Sequence, residues 1–92
     1  MKGDSISDLR KQFEAIDKDL LILLGKRIDL SKKIAVLKKE KAINILQTNI
    51  WEKQLQNRLK ENEALKIDAD FLKTFFSLIH EESIRIQKKE LE

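Results

Sequence analysis

The feature that most constrains this sequence is a single stripe of side chains in its first third. Residues recur at alternating spacings of four and three, at Leu9, Phe13, Ile16, Leu20, Leu23, Arg27, Leu30, Ile34 and Leu37. This spacing keeps side chains on one face of a helix. With Asp4, Ser5 and Ser7 as candidate N-caps, the pattern predicts one helix from about residue 7 to about residue 40.

A helix of this length cannot cover its own apolar face. At 1.5 Å per residue it would extend roughly 50 Å. The remainder of a 92-residue chain supplies too little surface to bury the stripe. We therefore expect a homodimer in which the long helices of two copies pack against each other.

The composition excludes several other classes of protein. The chain has no Pro and no Cys, two Gly and one His. Because Gly and Pro form most tight turns, their scarcity argues against a β-rich fold. The absence of Cys and the single His exclude disulfide scaffolds and Cys/His zinc sites. The sequence therefore predicts an all-α fold.

Charge and hydropathy limit the partners and the location. Lys plus Arg exceed Asp plus Glu by only three, which gives little support for nucleic-acid binding. No apolar run approaches the roughly 20 residues of a membrane span. The first residues lack the apolar core of a signal peptide. We expect a single cytoplasmic domain over residues 1–92, with no membrane or nucleic-acid partner.

Two further helices are predicted. Residues 39–49 form a weak break, after which a second helix covers about Leu46 to Leu65. Residues 62–67 are also predicted as a connection, which overlaps the end of that helix. Asp68 is a good N-cap for a third helix that reaches about Lys88. Trp51 and the phenylalanines are predicted to lie in the core; they are Phe13, Phe71, Phe75 and Phe76.

Polar residues interrupt two of the apolar faces. Arg27 lies in the first stripe, and Ser83 interrupts the stripe of the third helix, with Gln87 one turn further on. A buried guanidinium requires an anionic partner. That partner is either a ligand or a carboxylate of the chain, of which the candidates are Asp29, Glu81 and Glu82. His80 is interpreted as a packing residue.

The chemistry available to the chain is narrow. It has no Ser/His/Asp constellation, no phosphate-binding Gly-rich loop and no HExxH motif. An enzyme of this composition would act through positioning and fixed charges on an anionic small molecule. No cofactor or metal is expected.

Two segments resemble the all-helical chorismate mutases. Residues 8–27, DLRKQFEAIDKDLLILLGKR, are similar to the family's opening helix, and Lys38 follows Arg27 at the family's spacing. Residues 76–87, FSLIHEESIRIQ, are similar to its last helix, with Ser and Gln four apart. The resemblance covers about residues 7–88. It implies an intertwined homodimer of three-helix subunits that rearranges chorismate to prephenate without a cofactor.

The resemblance also implies residue roles. Arg10 would reach into the partner subunit's site and hold a substrate carboxylate, and Arg27 would hold a carboxylate within its own subunit. Lys38 and Gln87 would bond the ether oxygen that gains negative charge as the C–O bond breaks. Ser83 would assist in carboxylate binding.

The second helix departs from the family pattern. The family has an acidic residue at Gln47, an Arg at Ile50 and a Glu or Gln at Trp51. Gln47 can still bond the substrate hydroxyl, whereas Ile50 cannot bind a carboxylate. Loss of such a charge-assisted contact costs roughly 1.5–3 kcal/mol, about 10- to 100-fold in binding.

Three alternatives to a chorismate mutase follow. An isochorismate pyruvate lyase or an aminodeoxychorismate mutase would share the architecture, and the change at Gln47 keeps both open. A helical dimerisation or regulatory module with a vestigial site is favoured by Ile50. A plain coiled-coil protein is disfavoured, because it has no need of both Arg27 and Ser83 inside apolar faces.

Overall fold

A computed structural model describes residues 5–92, which contain three α-helices and no strand. The helices are α1 (Ile6–Glu40), α2 (Thr48–Glu61) and α3 (Ala69–Glu90). The predicted all-α class, with three helices and a long first one, is confirmed. The chain divides into two units, one ending at Leu30 and one comprising Ser31–Glu92, and each is described by itself.

Helix α1 begins with a reciprocal cap. The Oγ of Ser5 accepts a hydrogen bond from the backbone N–H of Asp8 at 3.1 Å and donates to the Asp8 carboxylate at 2.7 Å. This pairing satisfies one of the amides that a helix N-terminus leaves open. Ser5 is therefore the cap, and the alternative Ser7 is wrong because Ser7 lies inside the helix. Asp4 lies outside the described residues.

In the first unit, the described residues 5–30 include none that is buried. The apolar stripe is exposed, and Phe13 is 66% exposed, so its predicted place in the core is wrong for the single chain. A Cβ added at Gly25 would meet nothing within 4 Å. This helical segment thus presents a large apolar surface.

Helix α1 ends in a Schellman motif. The backbone N–H of Ile43 donates to the carbonyl of Lys38 at 2.8 Å, and that of Ala42 donates to Lys39 at 3.2 Å. Ala42 has a φ of 55°, the left-handed conformation that this motif requires. Glycine is the usual residue at such a position, so the sequence carries no obvious signal for this turn.

Helix α2 stops earlier than predicted. It ends at Glu61 rather than Leu65, because the Asn62 side chain turns the chain back toward Ile67. Asn62 accepts from the Ile67 backbone N–H at 3.0 Å and donates to the Ile67 carbonyl at 2.6 Å. The predicted connection over residues 62–67 is confirmed, as is the Asp68 cap, which accepts from the Phe71 N–H at 2.8 Å.

Within the second unit, α2 packs on α3 through aromatic side chains. The rings of Trp51 and His80 stack with centroids 4.1 Å apart and planes inclined by 5°. Trp51, Phe75 and Phe76 are half-buried, whereas Phe71 is exposed, so its core assignment is wrong. His80 is confirmed as a packing residue, and the stack fixes the middle of α3 against the start of α2.

Candidate functional site

The last turns of α1 bury an unusual face. Ser31, Ala35 and Lys38, spaced four and three apart, are 6%, 0% and 8% exposed. Each of these buried residues directly follows a residue of the apolar stripe in the sequence. Those stripe residues, Leu30, Ile34 and Leu37, remain exposed. Buried polar side chains require hydrogen-bond partners. Helix α3 and the turn after α1 supply them.

Lys38 is held by two oxygens. Its ammonium donates to the carbonyl of Ile45 at 2.5 Å and to Oε1 of Gln87 at 2.9 Å. The Schellman turn brings Ile45 back to the lysine, and the last turns of α3 bring Gln87, which is 4% exposed. An ammonium group has three N–H donors, so one donor remains for a ligand.

No described residue neutralises the charge of Lys38. Among residues 5–92 no carboxylate forms a salt bridge with it; the two ion pairs of this part of the chain are Arg58–Glu61 and Arg85–Glu82. Burial lowers the pKa of Lys38 below its ordinary value. A buried cation that only neutral oxygens solvate is costly for a protein and attractive to an anion.

The hydrogen bonds continue along α3. Nε2 of Gln87 donates to Oγ of Ser83 at 3.1 Å, and Ser83 lies 2.6 Å from Oγ of Ser31 on α1. The structure thus brings together Lys38, Ser83 and Gln87, three of the residues singled out in the sequence. The amide of Gln87 keeps a second N–H donor beyond the one that Ser83 accepts.

Gln47 is placed at the first residue before α2. It occupies the N-cap position, but its side chain does not cap the helix. With Thr48, Asn49 and Ile50 it lines an open pocket of about 310 Å³. Gln47 and Ile50, two of the positions at which the sequence departs from the family pattern, therefore border the same open pocket. Its lining carries no charged side chain.

Arg10 and Arg27 both lie in the α1 segment of the first unit, and both are exposed. Arg27 forms no ion pair with Asp29 within residues 5–30, and Glu82 is taken by Arg85 at 2.6 and 2.8 Å. Among the described residues Arg27 is thus not paired with Asp29, and the alternative pairing of Arg27 with Glu81 or Glu82 stays a prediction. The role of Arg27 as an anion holder stays a prediction, as does that of Arg10.

Two participants in this network were missed by sequence reasoning. Ser31 looks like an ordinary polar residue of an exposed helix, although its spacing of four and three with Ala35 and Lys38 was a usable signal. The acceptor at Ile45 is a backbone carbonyl, which leaves no mark in the sequence at all.

Among residues 5–92, no helix is both long and apolar enough to cross a membrane. In the same residues, no three His, Cys, Asp or Glu side chains are grouped so that they could hold a metal ion.

Comparison with known proteins gives one match. The family model described as chorismate mutase type II matches residues 9–88. No match was found among curated proteins or among solved structures. The matched range includes all of α2, most of α1 and α3, and every residue of the network.

Proposed function

The chain belongs to the chorismate mutase type II family, and on that premise we propose that it rearranges chorismate to prephenate. The reaction breaks a C–O bond and forms a C–C bond within one dianionic molecule. It requires neither a cofactor nor a proton transfer. Its catalyst must hold the two carboxylates and stabilise negative charge that develops on the ether oxygen.

The buried ammonium of Lys38 carries this proposal. Its remaining N–H and the second amide N–H of Gln87 are the donors that would bond the ether oxygen. Because the charge on that oxygen grows toward the transition state, a lysine held by neutral acceptors stabilises the transition state more than the ground state. Ser83, Arg27 and the Arg10 of a partner subunit would bind the carboxylates.

The proposal includes a homodimer that functions in the cytoplasm. It is supported by the exposed apolar stripe of α1, which a second copy would cover, and by the role that the family resemblance gives Arg10 across the subunit boundary. The cytoplasmic location stays a prediction from the sequence.

The first test is an assay with chorismate. Purified protein is mixed with chorismate, the loss of its ultraviolet absorbance is followed, and the product is identified. We expect prephenate. In Arg27→Ala, turnover should fall by at least about 100-fold, because a charge-assisted carboxylate contact is lost, while circular dichroism stays unchanged. Lys26→Ala, which removes the neighbouring exposed cation, should stay within about twofold of the wild type.

Gln47, where the family pattern has an acidic residue, leaves close analogues of chorismate as second candidate substrates. If the wild type leaves chorismate unchanged, the same assay is repeated with isochorismate and aminodeoxychorismate. Turnover of either would replace the reaction proposed here. Failure with all three substrates would support the non-catalytic module, and normal turnover in Arg27→Ala would refute the assignment of Arg27.

Ile50→Arg tests whether the pocket is part of the site. We expect the new guanidinium to restore a carboxylate contact and raise kcat/KM for chorismate by about 10- to 100-fold, the equivalent of roughly 1.5–3 kcal/mol. Gln56→Arg, an exposed position elsewhere on α2, is the matched control. An unchanged or lower kcat/KM in Ile50→Arg would show that this helix serves another purpose.

A further inference from the structure

Ser31 is a buried hydroxyl that the proposed reaction does not use. Serine within a helix commonly bonds a carbonyl of its own preceding turn. Here its Oγ instead lies 2.6 Å from the hydroxyl of Ser83, 52 residues away on α3. At 6% exposure, the hydroxyl is withdrawn from water as well. Among the described residues, its one side-chain hydrogen-bond partner therefore lies on another helix.

The direction of the hydrogen bonds shows what that partner does. An ammonium group only donates, so Oε1 of Gln87 must accept from Lys38, and this fixes the orientation of the amide. Its Nε2 then faces Ser83 and donates to the hydroxyl oxygen. Ser83 thus accepts the hydrogen bond that holds the Gln87 amide in this orientation.

Ser31 in turn restricts Ser83. A half-buried serine has three staggered rotamers, and only one of them directs its oxygen at a given partner. The short bond to Ser31 selects the rotamer in which Ser83 also accepts from Gln87. Ala35, which is fully buried one turn beyond Ser31 on the same face of α1, leaves no polar group there to replace it.

We propose that Ser31 is a positioning residue, which holds Ser83 and, through it, orients the Gln87 amide toward the oxygen that gains charge. The proposal deepens the proposed function and rests on it. Ser31 itself touches no reacting atom. Its contribution is to keep a transition-state donor aligned before the substrate arrives.

The kinetic test compares Ser31→Ala with Ser77→Ala, a half-buried serine of α3 outside the network. We expect Ser31→Ala to lower kcat by about 3- to 10-fold, the size of one net hydrogen bond, with KM changed less than twofold. Such a split is expected when only a transition-state interaction is lost. Ser77→Ala should leave both constants within twofold. An unchanged kcat in Ser31→Ala would overturn the proposal.

A double-mutant cycle tests the route through Ser83. If Ser31 acts on Gln87 through Ser83, Ser31→Ala should have little further effect in a Ser83→Ala background. A full and independent loss in that background would show that Ser31 acts by some other route, and the proposal would be wrong.

A readout without turnover separates this proposal from the proposed function. In ¹H–¹⁵N spectra, the side-chain amide resonances of Gln87 should shift in Ser31→Ala and stay in place in Ser77→Ala. If the wild type turns over none of the three substrates and this shift is still seen, the proposed function fails while the support of Gln87 by Ser31 stands. An unshifted Gln87 amide would refute that support.

Discussion

Helix α1 departs from the usual distribution of side chains in a globular protein: its apolar stripe is exposed, whereas a serine and a lysine are buried. Over residues 5–30 the apolar stripe is exposed and nothing is buried. In the second unit, the buried face of the same helix consists of Ser31, Ala35 and Lys38. Globular proteins normally place leucine inside and lysine outside. Under the proposed function the two stretches meet different requirements, one for covering an apolar surface and one for presenting donors.

The energetic scales of the two regions differ accordingly. Full burial of one leucine side chain is worth about 1.5–3 kcal/mol, so a stripe of this length provides a large driving force for association. A net hydrogen bond contributes about 0.5–1.5 kcal/mol. We therefore expect substitutions in the stripe to act on assembly, and substitutions in the network to act on chemistry.

The largest effect is expected from a charge in the stripe. Leu20→Glu should convert the proposed dimer to a monomer, because an ionised carboxylate cannot be buried there without a partner. Light scattering after size-exclusion chromatography gives the mass. Lys18→Glu, off the stripe, adds the same carboxylate and should keep the dimer. A monomeric wild type, or an unaltered mass in Leu20→Glu, would contradict the assembly proposed here.

A smaller effect is expected from the titration of Lys38. As the pH rises, the free energy of unfolding should increase and kcat/KM should decrease. Its pKa is lowered by burial, so the unfolded chain keeps this proton at pH values where the folded chain has lost it. Between the lowered pKa and the ordinary lysine pKa of about 10.4, the free energy of unfolding should rise with pH. Over the same range kcat/KM should fall, by about tenfold per pH unit, as the ammonium donor disappears.

Lys38→Gln is the control for that titration. It keeps a neutral N–H donor, on a side chain one bond shorter, and cannot titrate. Its kcat/KM should be low and independent of pH over the alkaline range, and the rise in unfolding free energy should vanish. A wild-type profile that stays flat up to the ordinary lysine pKa would show that Lys38 does not bond the reacting oxygen as an ammonium.

The smallest effect concerns Gly25. Because an added Cβ meets nothing within 4 Å, Gly25→Ala should raise the unfolding free energy by about 0.8–1 kcal/mol through helix propensity alone. Thermal and urea unfolding measure it, with Ala15→Gly as the reverse substitution on the same segment. A loss of stability that depends on protein concentration would instead show that a second copy approaches closely at Gly25.

Much of the fold was predictable from the sequence because it follows from local rules. The spacing of the stripe predicts α1 to within about a residue at each end, and Asp68 predicts the start of α3. The end of α2 was misjudged, because the side chain of Asn62 rather than any helix breaker turns the chain. The left-handed Ala42 has no sequence signal, since glycine is the residue that normally marks such a turn.

The site was predictable in part, for a different reason. Lys38, Ser83 and Gln87 were singled out because their residue types at this spacing resemble a known family, and they do lie together. Ser31 and the Ile45 carbonyl could not be found in that way. One has a residue type common on any helix surface, and the other is a backbone atom whose place depends on the turn after α1.

That turn has a consequence for how this chain can be altered or engineered. Because the Schellman motif both ends α1 and delivers the carbonyl that holds Lys38, the segment from residue 41 to residue 47 is a fixed spacer. A residue added or removed between Lys38 and Ile45 would shift this carbonyl and leave the ammonium with Gln87 as its one described acceptor. The ends of the connection at residues 62–67 are joined by two hydrogen bonds between the Asn62 side chain and the Ile67 backbone. Any inserted tag, label or new chain terminus therefore belongs at that second connection, where no described contact joins the connection to Lys38.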